Sequence, residues 1–294
     1  MTTSGSSQLG IAKPLLAWST EHLRSFPWRD TRDPWVVLVS EVMLQQTQAK
    51  RVAERLPGFL ARFPTPGAMA SATLGDVLEA WVGLGYNRRA QRLKAAAELL
   101  VERFGGEVPN ALDELLSLPG LGPYTARAVA VFAFDAPIGV VDTNTARVFK
   151  RFSVDPAIRP RELQELVDAE VPPRASWRFN SALLDLGATT CTARVPRCDA
   201  CPLASRCSWR GGAHGGEDPA ASGVHAPVAQ VAFAGSSREA RGRLVAALVE
   251  GELDVASIAR VTGRSREEAR EVANGLVADG LVERHGRKLR LAGR

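Results

Sequence analysis

The spacing of hydrophobic residues along this chain is mostly that of α-helices. Apolar residues recur at intervals of three and four positions, which places them on one face of a helix. Proline and glycine residues interrupt the pattern and separate one predicted helix from the next. The predicted helical regions are 15–23, 35–60, 74–104, 111–134 and 161–187. The chain contains no internal repeat.

The C-terminal part has a different pattern. Residues 210–235 are rich in glycine, alanine, proline and histidine without periodicity, which is typical of a linker. Residues 236–294 predict three helices and then a hairpin that turns at His285-Gly286, an order typical of a winged-helix-like module. Lys and Arg outnumber Asp and Glu there by 12 to 9. Such a module could bind DNA or another protein, and the sequence leaves both open.

Composition adds a few limits. The 294 residues are 45% hydrophobic, enough for a sizeable core and for two domains, one of them small. The net charge of +5 is compatible with nucleic acid but does not establish it. Residues 1–13 lack the apolar stretch of a signal peptide, and the longest apolar run, 128–134, is too short to span a membrane. We therefore expect a protein of the bacterial cytoplasm without membrane contact.

All four cysteines lie within seventeen residues, spaced C-x6-C-x2-C-x5-C. This segment is too short for two ordinary disulfides, so the pattern indicates a metal site with thiolate ligands. Zinc remains possible, but zinc ribbons usually contain two C-x2-C pairs, whereas only Cys198 and Cys201 form one here. The spacing favours an iron–sulfur cluster over zinc.

Two carboxyl groups are candidates for acid–base chemistry. Glu41 lies in the apolar stretch 35–44, where loss of water would raise its pKa and keep it protonated, as a general acid requires. The alternative is a glutamate on the exposed face of a core helix. Asp142 follows the apolar run 137–141, and the residues alone favour a helix N-cap.

Five segments in the same order resemble the helix-hairpin-helix DNA glycosylases that are similar to endonuclease III. Within that superfamily they resemble the MutY branch, the adenine glycosylases. The resemblance spans residues 15 to 210 approximately. The segments are Pro-Trp-Arg at 27–29, Ser-Glu-Val-Met-Leu-Gln-Gln-Thr-Gln at 40–48, Leu-Pro-Gly-Leu-Gly-Pro-Tyr-Thr-Ala at 118–126, Val-Asp-Thr-Asn at 141–144, and the cysteine loop.

This resemblance implies an all-α fold. The implied fold is that of a helix-hairpin-helix glycosylase with an iron–sulfur cluster loop, to which the small winged-helix-like module is added. The expected regions are an N-terminal segment (1–30) that packs with the cluster lobe, a helical barrel (31–140), the cluster lobe (141–209), the linker (210–235) and the module (236–294).

The resemblance also implies a chemistry. Glu41 would protonate adenine at N7, and Asp142 would stabilise the positive charge that develops at C1′ of the sugar. Asn144 would hydrogen-bond within the active site. Tyr124 stands where bifunctional relatives carry a lysine that attacks C1′, and tyrosine cannot form an imine. The reaction should therefore be hydrolysis alone.

Contacts with DNA follow from the same resemblance. Backbone N–H groups at Gly120 and Gly122 would bind phosphate. The Tyr86 ring would wedge into the duplex beside 8-oxoguanine, where Asn87 replaces a second family tyrosine. The other positions near the lesion are Gln46, Thr47 and Leu84, and those bordering the adenine pocket are Arg29 and Asp185. Arg88, Arg89 and Arg92 could contact phosphate or form a solvated helix face.

The resemblance implies one 4Fe-4S cluster, held by Cys191, Cys198, Cys201 and Cys207. The partner would be double-stranded DNA containing adenine opposite 8-oxoguanine or guanine, bound by a monomer associated with the nucleoid. We therefore expect a monofunctional glycosylase that excises adenine in base excision repair.

The chain departs from the family in its C-terminal region. Most MutY enzymes carry a larger domain, similar to Nudix hydrolases, which reads 8-oxoguanine; the helical pattern of 236–294 does not resemble it. Either the Tyr86 loop supplies all the lesion specificity, or the enzyme tolerates other bases opposite adenine. Two rivals remain: a thymine or uracil mismatch glycosylase of the same superfamily, and a non-catalytic iron–sulfur DNA-binding regulator.

Overall fold

The computed structural model describes residues 9–153, 155–213, 216–222 and 232–294. Its contacts divide the chain into two compact units. The first unit joins 1–32 to 123–229, and the second joins 33–122 to 230–294. One boundary between the two units therefore lies near residue 122, whereas the sequence analysis placed the end of the helical barrel at residue 140. Part of the predicted linker, 223–231, lies outside the described residues.

Helices account for most of the described residues. In chain order they are α1 (Ala12–His22), α2 (Pro34–Leu44), α3 (Ala49–Arg62), α4 (Pro66–Ala70), α5 (Leu74–Trp81), α6 (Arg88–Phe104), α7 (Leu112–Ser117), α8 (Pro123–Phe134), α9 (Thr143–Ser153), α10 (Pro160–Glu170), α11 (Ser176–Thr189), α12 (Ser237–Val249), α13 (Ile258–Thr262) and α14 (Arg266–Ala278). The strands are β1 (Leu253–Asp254), β2 (Val282–His285) and β3 (Lys288–Leu291). No helix in the described ranges is long and apolar enough to cross a membrane.

The core of the first unit lies where α11 packs against α1 and α9. Leu15, Phe149, Phe179 and Leu183 are at most 1% exposed there. Burial of each such side chain contributes about 1.5–3 kcal/mol. The carboxylate of Glu170 accepts hydrogen bonds from backbone N–H groups just before α1, so the N-terminal segment is held against this lobe.

Four of the predicted helical regions are interrupted; in 161–187 the break lies at 171–175, between α10 and α11. The expected helix 35–60 stops at Leu44, because Gln46 adopts a left-handed backbone with φ of 56°, and a new helix starts at Ala49. The expected helix 74–104 is broken by a loop at 82–87, and the region 111–134 by a glycine-containing hairpin at 118–122. The interruptions at 45–48, 82–87 and 118–122 are loops at which the sequence analysis also placed candidate DNA contacts.

The C-terminal module consists of α12, α13 and α14 followed by the predicted hairpin, in which β2 pairs antiparallel with β3. The short strand β1 was not predicted; it pairs with the other edge of β3 and completes a sheet of order β1-β3-β2. Gly286 turns the hairpin with φ of 58°. Helix α12 packs against α5 within the second unit.

Candidate active site

Glu41 lies on a helix that is buried on nearly all sides. The carboxylate of Asp33 caps α2 by accepting hydrogen bonds from the N–H groups of Trp35 and Val36, at 2.8 and 3.2 Å. Pro34 occupies the first helical position, where its missing N–H costs nothing. Glu41 is only 4% exposed. The structure therefore excludes the alternative of a glutamate on an exposed helix face.

Asp142 lies at the N-terminus of α9 and is partly buried. Its Oδ1 accepts hydrogen bonds from the N–H groups of Asn144 and Thr145, at 2.8 and 2.7 Å. Asp142 is thus the helix cap that the residues alone favour. The first N–H groups of a helix have no partner within the helix, and the partial positive charge at this end suits a carboxylate. Capping does not exclude a catalytic role, because a carboxylate has a second oxygen.

A hydrogen-bond network extends from that second oxygen to the cysteine loop. Oδ2 of Asp142 accepts from Nδ2 of Asn144 at 2.8 Å, and Oδ1 of Asn144 accepts from Nη2 of Arg147 at 2.7 Å. Arg147 also donates to the carbonyls of Gly187 and Cys191, at 2.6 and 2.7 Å. Because Arg147 is buried, the network fixes both Asn144 and Asp142 in orientation.

Helices α9 and α11 approach closely at this network. A Cβ atom added to Gly187 would lie 2.6 Å from the Cβ of Asn144 and 3.1 Å from its backbone. Neither atom can move without shifting α9. Glycine is therefore required at 187 by packing, and the helix that carries Asn144 takes its position from this contact.

The candidate catalytic residues belong to both units. Tyr124 is partly buried at the second position of α8, in the first unit with Asp142 and Asn144. Glu41 belongs to the second unit. The structure thus brings Asp142 and Asn144 together, while the convergence of Glu41 and Tyr124 with them stays a prediction.

The hairpin between α7 and α8 has the expected glycine turn. Gly120 adopts φ of 87°, and a Cβ there would lie 2.9 Å from the Cβ of Arg92, so both its backbone and its surroundings require glycine. Its carbonyl accepts a hydrogen bond from Nε2 of Gln45 at 3.3 Å. Gly122 is exposed with open space around it. Phosphate binding at Gly120 and Gly122 stays a prediction.

A buried arginine fixes the loop at 82–87. Arg89 is 8% exposed and donates to the carbonyls of Val42 and Met43 at the end of α2, to Oγ1 of Thr47, and to the carbonyls of Leu84 and Gly85. Burial lowers the pKa of Arg89 to about 10. The expectation that Arg89 contacts phosphate or lies on a solvated face is therefore wrong. Its guanidinium instead joins the helix of Glu41 to the loop of Tyr86.

The candidate lesion-binding residues surround this arginine. Tyr86 is 37% exposed and has a left-handed backbone with φ of 49°, a strained conformation for a tyrosine. Gln46 is exposed, Thr47 donates to the carbonyl of Leu84 at 3.4 Å, and the Leu84 side chain is 4% exposed. Tyr86 and Gln46 thus offer side chains at the surface, whereas Leu84 is mainly part of the core.

Arg29 and Asp185, which were both expected at the border of the adenine pocket, form a buried ion pair. The fully buried carboxylate of Asp185 accepts from Nη1 and Nη2 of Arg29, at 2.6 and 3.1 Å. It also accepts from the backbone N–H and Nε of Arg24, at 2.9 and 2.7 Å. These bonds occupy the carboxylate, so its clear role is to hold the N-terminal segment on α11. A contact with adenine stays a prediction.

The four cysteines line one cavity with apolar walls formed by Val148, Phe152, Leu186 and Leu203. Backbone N–H of Arg210 donates to Sγ of Cys207, and Nη1 of Arg151 donates to Sγ of Cys191, each at 3.4 Å. Such donors to sulfur are typical of iron–sulfur sites. Within the described residues, no group of three or more His, Cys, Asp or Glu side chains is arranged to hold a metal ion.

The thiols themselves suit a buried ligand set. Burial raises the pKa of Cys191 and Cys198, and raises that of Cys201 to about 11. Iron would have to displace these protons on binding. Arg151 stabilises the loop as well: it pairs with Asp218 at 2.6 Å and donates to the carbonyl of Thr192 at 2.8 Å. The four thiols therefore share one cavity, in which their arrangement does not by itself form a metal site.

The sequence analysis missed Arg147 and Arg151 as functional residues. The available signal was that the two arginines lie four positions apart, on one face of the helix that follows the Asp142 motif. A basic pair on a buried face needs acceptors, and here those acceptors are the active-site network and the cysteine loop.

Comparison with known proteins agrees with this geometry. Residues 39–173 match the HhH-GPD superfamily of base excision DNA repair proteins. An adenine DNA glycosylase from Mycobacterium tuberculosis is 42% identical over 285 residues, which cover 92% of this chain and 89% of the relative. A thymine/uracil-DNA glycosylase from Pyrobaculum aerophilum is 37% identical over 190 residues, with 62% of this chain and 83% of that protein covered.

The similarity extends to solved structures. That of a thermostable thymine-DNA glycosylase has a TM-score of 0.66 at 31% identity, over 68% of this chain and 94% of that chain. A match over 92% of this chain, by contrast, includes most of the C-terminal module. The chain therefore belongs to the adenine DNA glycosylases, a family within the HhH-GPD superfamily of base excision repair proteins.

Proposed function

We propose that this DNA glycosylase excises adenine opposite 8-oxoguanine or guanine in base excision repair, and that it does so by hydrolysis alone. The observation that carries the proposal is the burial of Glu41, at 4% exposure, on a helix whose other residues are apolar except for Ser40. A carboxyl group kept from water favours its protonated form, which can donate a proton to a leaving base.

An acid at Glu41 distinguishes purine from pyrimidine substrates. Adenine carries a basic N7, and protonation at N7 makes the base a better leaving group. Thymine and uracil have no N7, so an acid at Glu41 suits a purine substrate. This argument favours adenine over the thymine and uracil activities that the names of two similar proteins carry.

Asp142 would act on the sugar. When the bond between C1′ and N9 breaks, its electron pair leaves with the protonated base and positive charge remains at C1′. The Asp142 carboxylate, held by the N–H groups of Asn144 and Thr145, would stabilise that charge. Water then adds to C1′ and loses a proton, which leaves an abasic site in an intact strand.

Tyr124 accounts for the absence of strand cleavage in this proposal. A lyase needs an amine that attacks C1′ and forms an imine, and the tyrosine hydroxyl has no such chemistry. The expected product therefore breaks only on later treatment with alkali.

We further propose that the cysteine cavity holds one 4Fe-4S cluster. It would be ligated by Cys191, Cys198, Cys201 and Cys207, and it would supply a rigid centre around which their loop folds. Removal of iron should bleach the brown protein and expose the loop to proteases. A colourless protein whose loop needs zinc would contradict the assignment.

The function can be tested by single-turnover assays on duplexes that hold adenine opposite 8-oxoguanine, guanine or thymine, and thymine or uracil opposite guanine. Each is run with and without alkali. We expect alkali-dependent cleavage at adenine opposite 8-oxoguanine and guanine. The variant Glu41→Gln should be inactive, whereas Glu102→Gln, at an exposed site on α6, should match the wild type.

Asp142→Asn separates capping from catalysis. Asparagine is also a good N-cap, so the fold should be retained while the negative charge is lost. An inactive variant of unchanged stability supports the proposed role. Activity only at thymine or uracil mismatches, or cleavage without alkali, would refute the proposed function; a wild-type protein that binds DNA without reaction would favour the non-catalytic regulator.

A further inference from the structure

A wide groove in the second unit has aromatic rings at its edge. Its volume is about 800 Å³, and both Tyr86 and Phe233 line it with exposed side chains, 37% and 57% exposed. One wall comes from the loop at 82–87 and the start of α3. The other comes from α12 and the residues just before it. Exposed aromatic rings beside a groove are surfaces on which nucleobases stack.

Basic side chains dominate the charge of the groove. Its charged residues are Arg51, Arg55, Arg238 and Arg243, with Glu54 and Glu239. Glu239 is already engaged, because it accepts from Nη2 of Arg243 at 2.7 Å and from the backbone N–H of Gly235 at 2.7 Å. The excess of arginine, combined with the aromatic rings, fits a nucleic-acid strand: phosphates bind arginine and bases stack.

Arg238 of the C-terminal module contacts the Tyr86 ring directly. Its Nη1 donates to the tyrosine Oη at 2.7 Å, and its guanidinium lies 5.6 Å from the ring centroid. The backbone of Tyr86 is fixed separately, since its carbonyl accepts from the N–H of Arg89 at 2.8 Å. The guanidinium of Arg89 also lies 5.4 Å from the centroid of the Tyr86 ring. Of these two arginines, Arg238 donates to the tyrosine hydroxyl.

The module is held in place by polar contacts with the helices of the same unit. Arg294 pairs with Glu79 of α5, and Arg88 of α6 pairs with Asp279 at 3.6 Å. Nε2 of Gln91 on α6 donates to the carbonyl of Asp279 at 3.0 Å. Because several contacts fix the module, its wall of the groove is formed before any ligand binds.

We propose that the C-terminal module forms one wall of the groove that receives the DNA strand opposite the excised adenine, and that Arg238 is a positioning residue for Tyr86. The inference rests on the proposed function. The ligand is a purine-bearing strand, whose base contacts the Tyr86 ring and whose phosphates face Arg51 and Arg55. Arg238 acts through the tyrosine and leaves the reacting atoms untouched.

A double-mutant cycle on the full chain tests this role. Arg238→Ala, Tyr86→Phe and the double variant are compared in binding to a duplex with adenine opposite 8-oxoguanine, over a range of salt concentrations. Each single change removes the same hydrogen bond. We expect a loss of affinity of about fivefold for each single change and no further loss in the double variant.

Salt dependence distinguishes positioning from a phosphate contact. If Arg238 acts through Tyr86, the Arg238→Ala variant keeps the wild-type slope of log affinity against log salt concentration. Arg55→Ala should instead make this negative slope shallower by about 0.9. Arg270→Ala is the matched control, because this exposed arginine of the module lines a different groove. It should leave binding to the mismatched duplex within about twofold of the wild type.

A fluorescent 2-aminopurine beside the 8-oxoguanine gives a second readout. The increase in its fluorescence on protein binding reports unstacking of the bases. We expect this increase to be smaller for Arg238→Ala and for Tyr86→Phe than for the wild type. The inference would be overturned by any of three results. The losses of affinity of the two single variants could multiply in the double variant, the salt slope could become shallower in Arg238→Ala, or Arg270→Ala could weaken binding as much as Arg238→Ala does. A wild type that releases no adenine would instead refute the proposed function, so the two failures are distinguishable.

Discussion

The strongest structural prediction concerns Arg89, whose guanidinium joins the helix of Glu41 to the loop of Tyr86. Burial lowers the pKa of Arg89 to about 10, because it disfavours the cation. The side chain offsets its loss of water through hydrogen bonds to backbone carbonyls and to Thr47.

Replacement of Arg89 by methionine keeps the length of the side chain and removes every donor. Hydrogen bonds from a charged donor contribute about 1.5–3 kcal/mol each, and the variant would leave the buried acceptors without this donor. We therefore expect the free energy of unfolding of the second unit to fall by about 3–5 kcal/mol. Arg88→Met is the control, because Arg88 is exposed and should change stability by less than about 1 kcal/mol.

Urea denaturation followed by tryptophan fluorescence measures this difference. Trp81 reports on the loop directly, since its Nε1 donates to the carbonyl of Gly85 at 3.0 Å. Hydrogen exchange at 82–87 should also speed up in Arg89→Met while the first unit keeps its protection. A loss of less than 1 kcal/mol, or unchanged exchange in the loop, would refute the argument that this arginine fixes the loop.

Other predictions follow from single contacts. Gly187→Ala places a Cβ 2.6 Å from that of Asn144. We expect the melting temperature to fall by several degrees and the single-turnover rate to fall by at least about tenfold. A variant as stable and active as the wild type would contradict the packing argument. Asp185→Asn breaks a buried ion pair and should lower the unfolding free energy by about 3 kcal/mol in urea; an unchanged stability with altered kinetics would instead indicate a substrate contact. The pKa of Glu283 is lowered to about 2, chiefly by the hydrogen bond from Arg290, so its stabilisation is present above pH 4.5 and is lost as the pH falls through 2. Acid titration of Glu283→Gln should show a weaker pH dependence of stability in that window, and a curve parallel to wild type would exclude this linkage.

The helical class of the fold could be predicted from hydrophobic spacing, because most helices bury one apolar face. The breaks at 119–123 and 172–173 could be predicted as well, because proline and glycine mark them. The break at 82–87 could not, and the course of this loop depends on Tyr86 in a left-handed conformation. That conformation is stabilised by Arg89, a residue that composition and spacing assign equally well to the surface.

The candidate site was predictable where a motif carries its own chemistry. Asp142 could be recognised as a cap, and the cysteine spacing as a metal site. Several partners of these residues are distant in sequence. Arg147 links the side chain of Asn144 to the carbonyl of Cys191, which is 44 positions away, and Arg238 reaches Tyr86 across 152 positions. Such contacts depend on tertiary packing, which no local pattern encodes.

The central claim is hydrolytic excision of adenine, and product analysis in heavy-oxygen water tests it most directly. Wild-type protein is given a duplex with adenine opposite 8-oxoguanine, and mass spectrometry identifies the released base and the sugar left behind. We predict free adenine, heavy oxygen at C1′ of an intact strand, and no protein–DNA adduct after borohydride treatment. An adduct, a cleaved strand, or release of a base other than adenine would contradict the account.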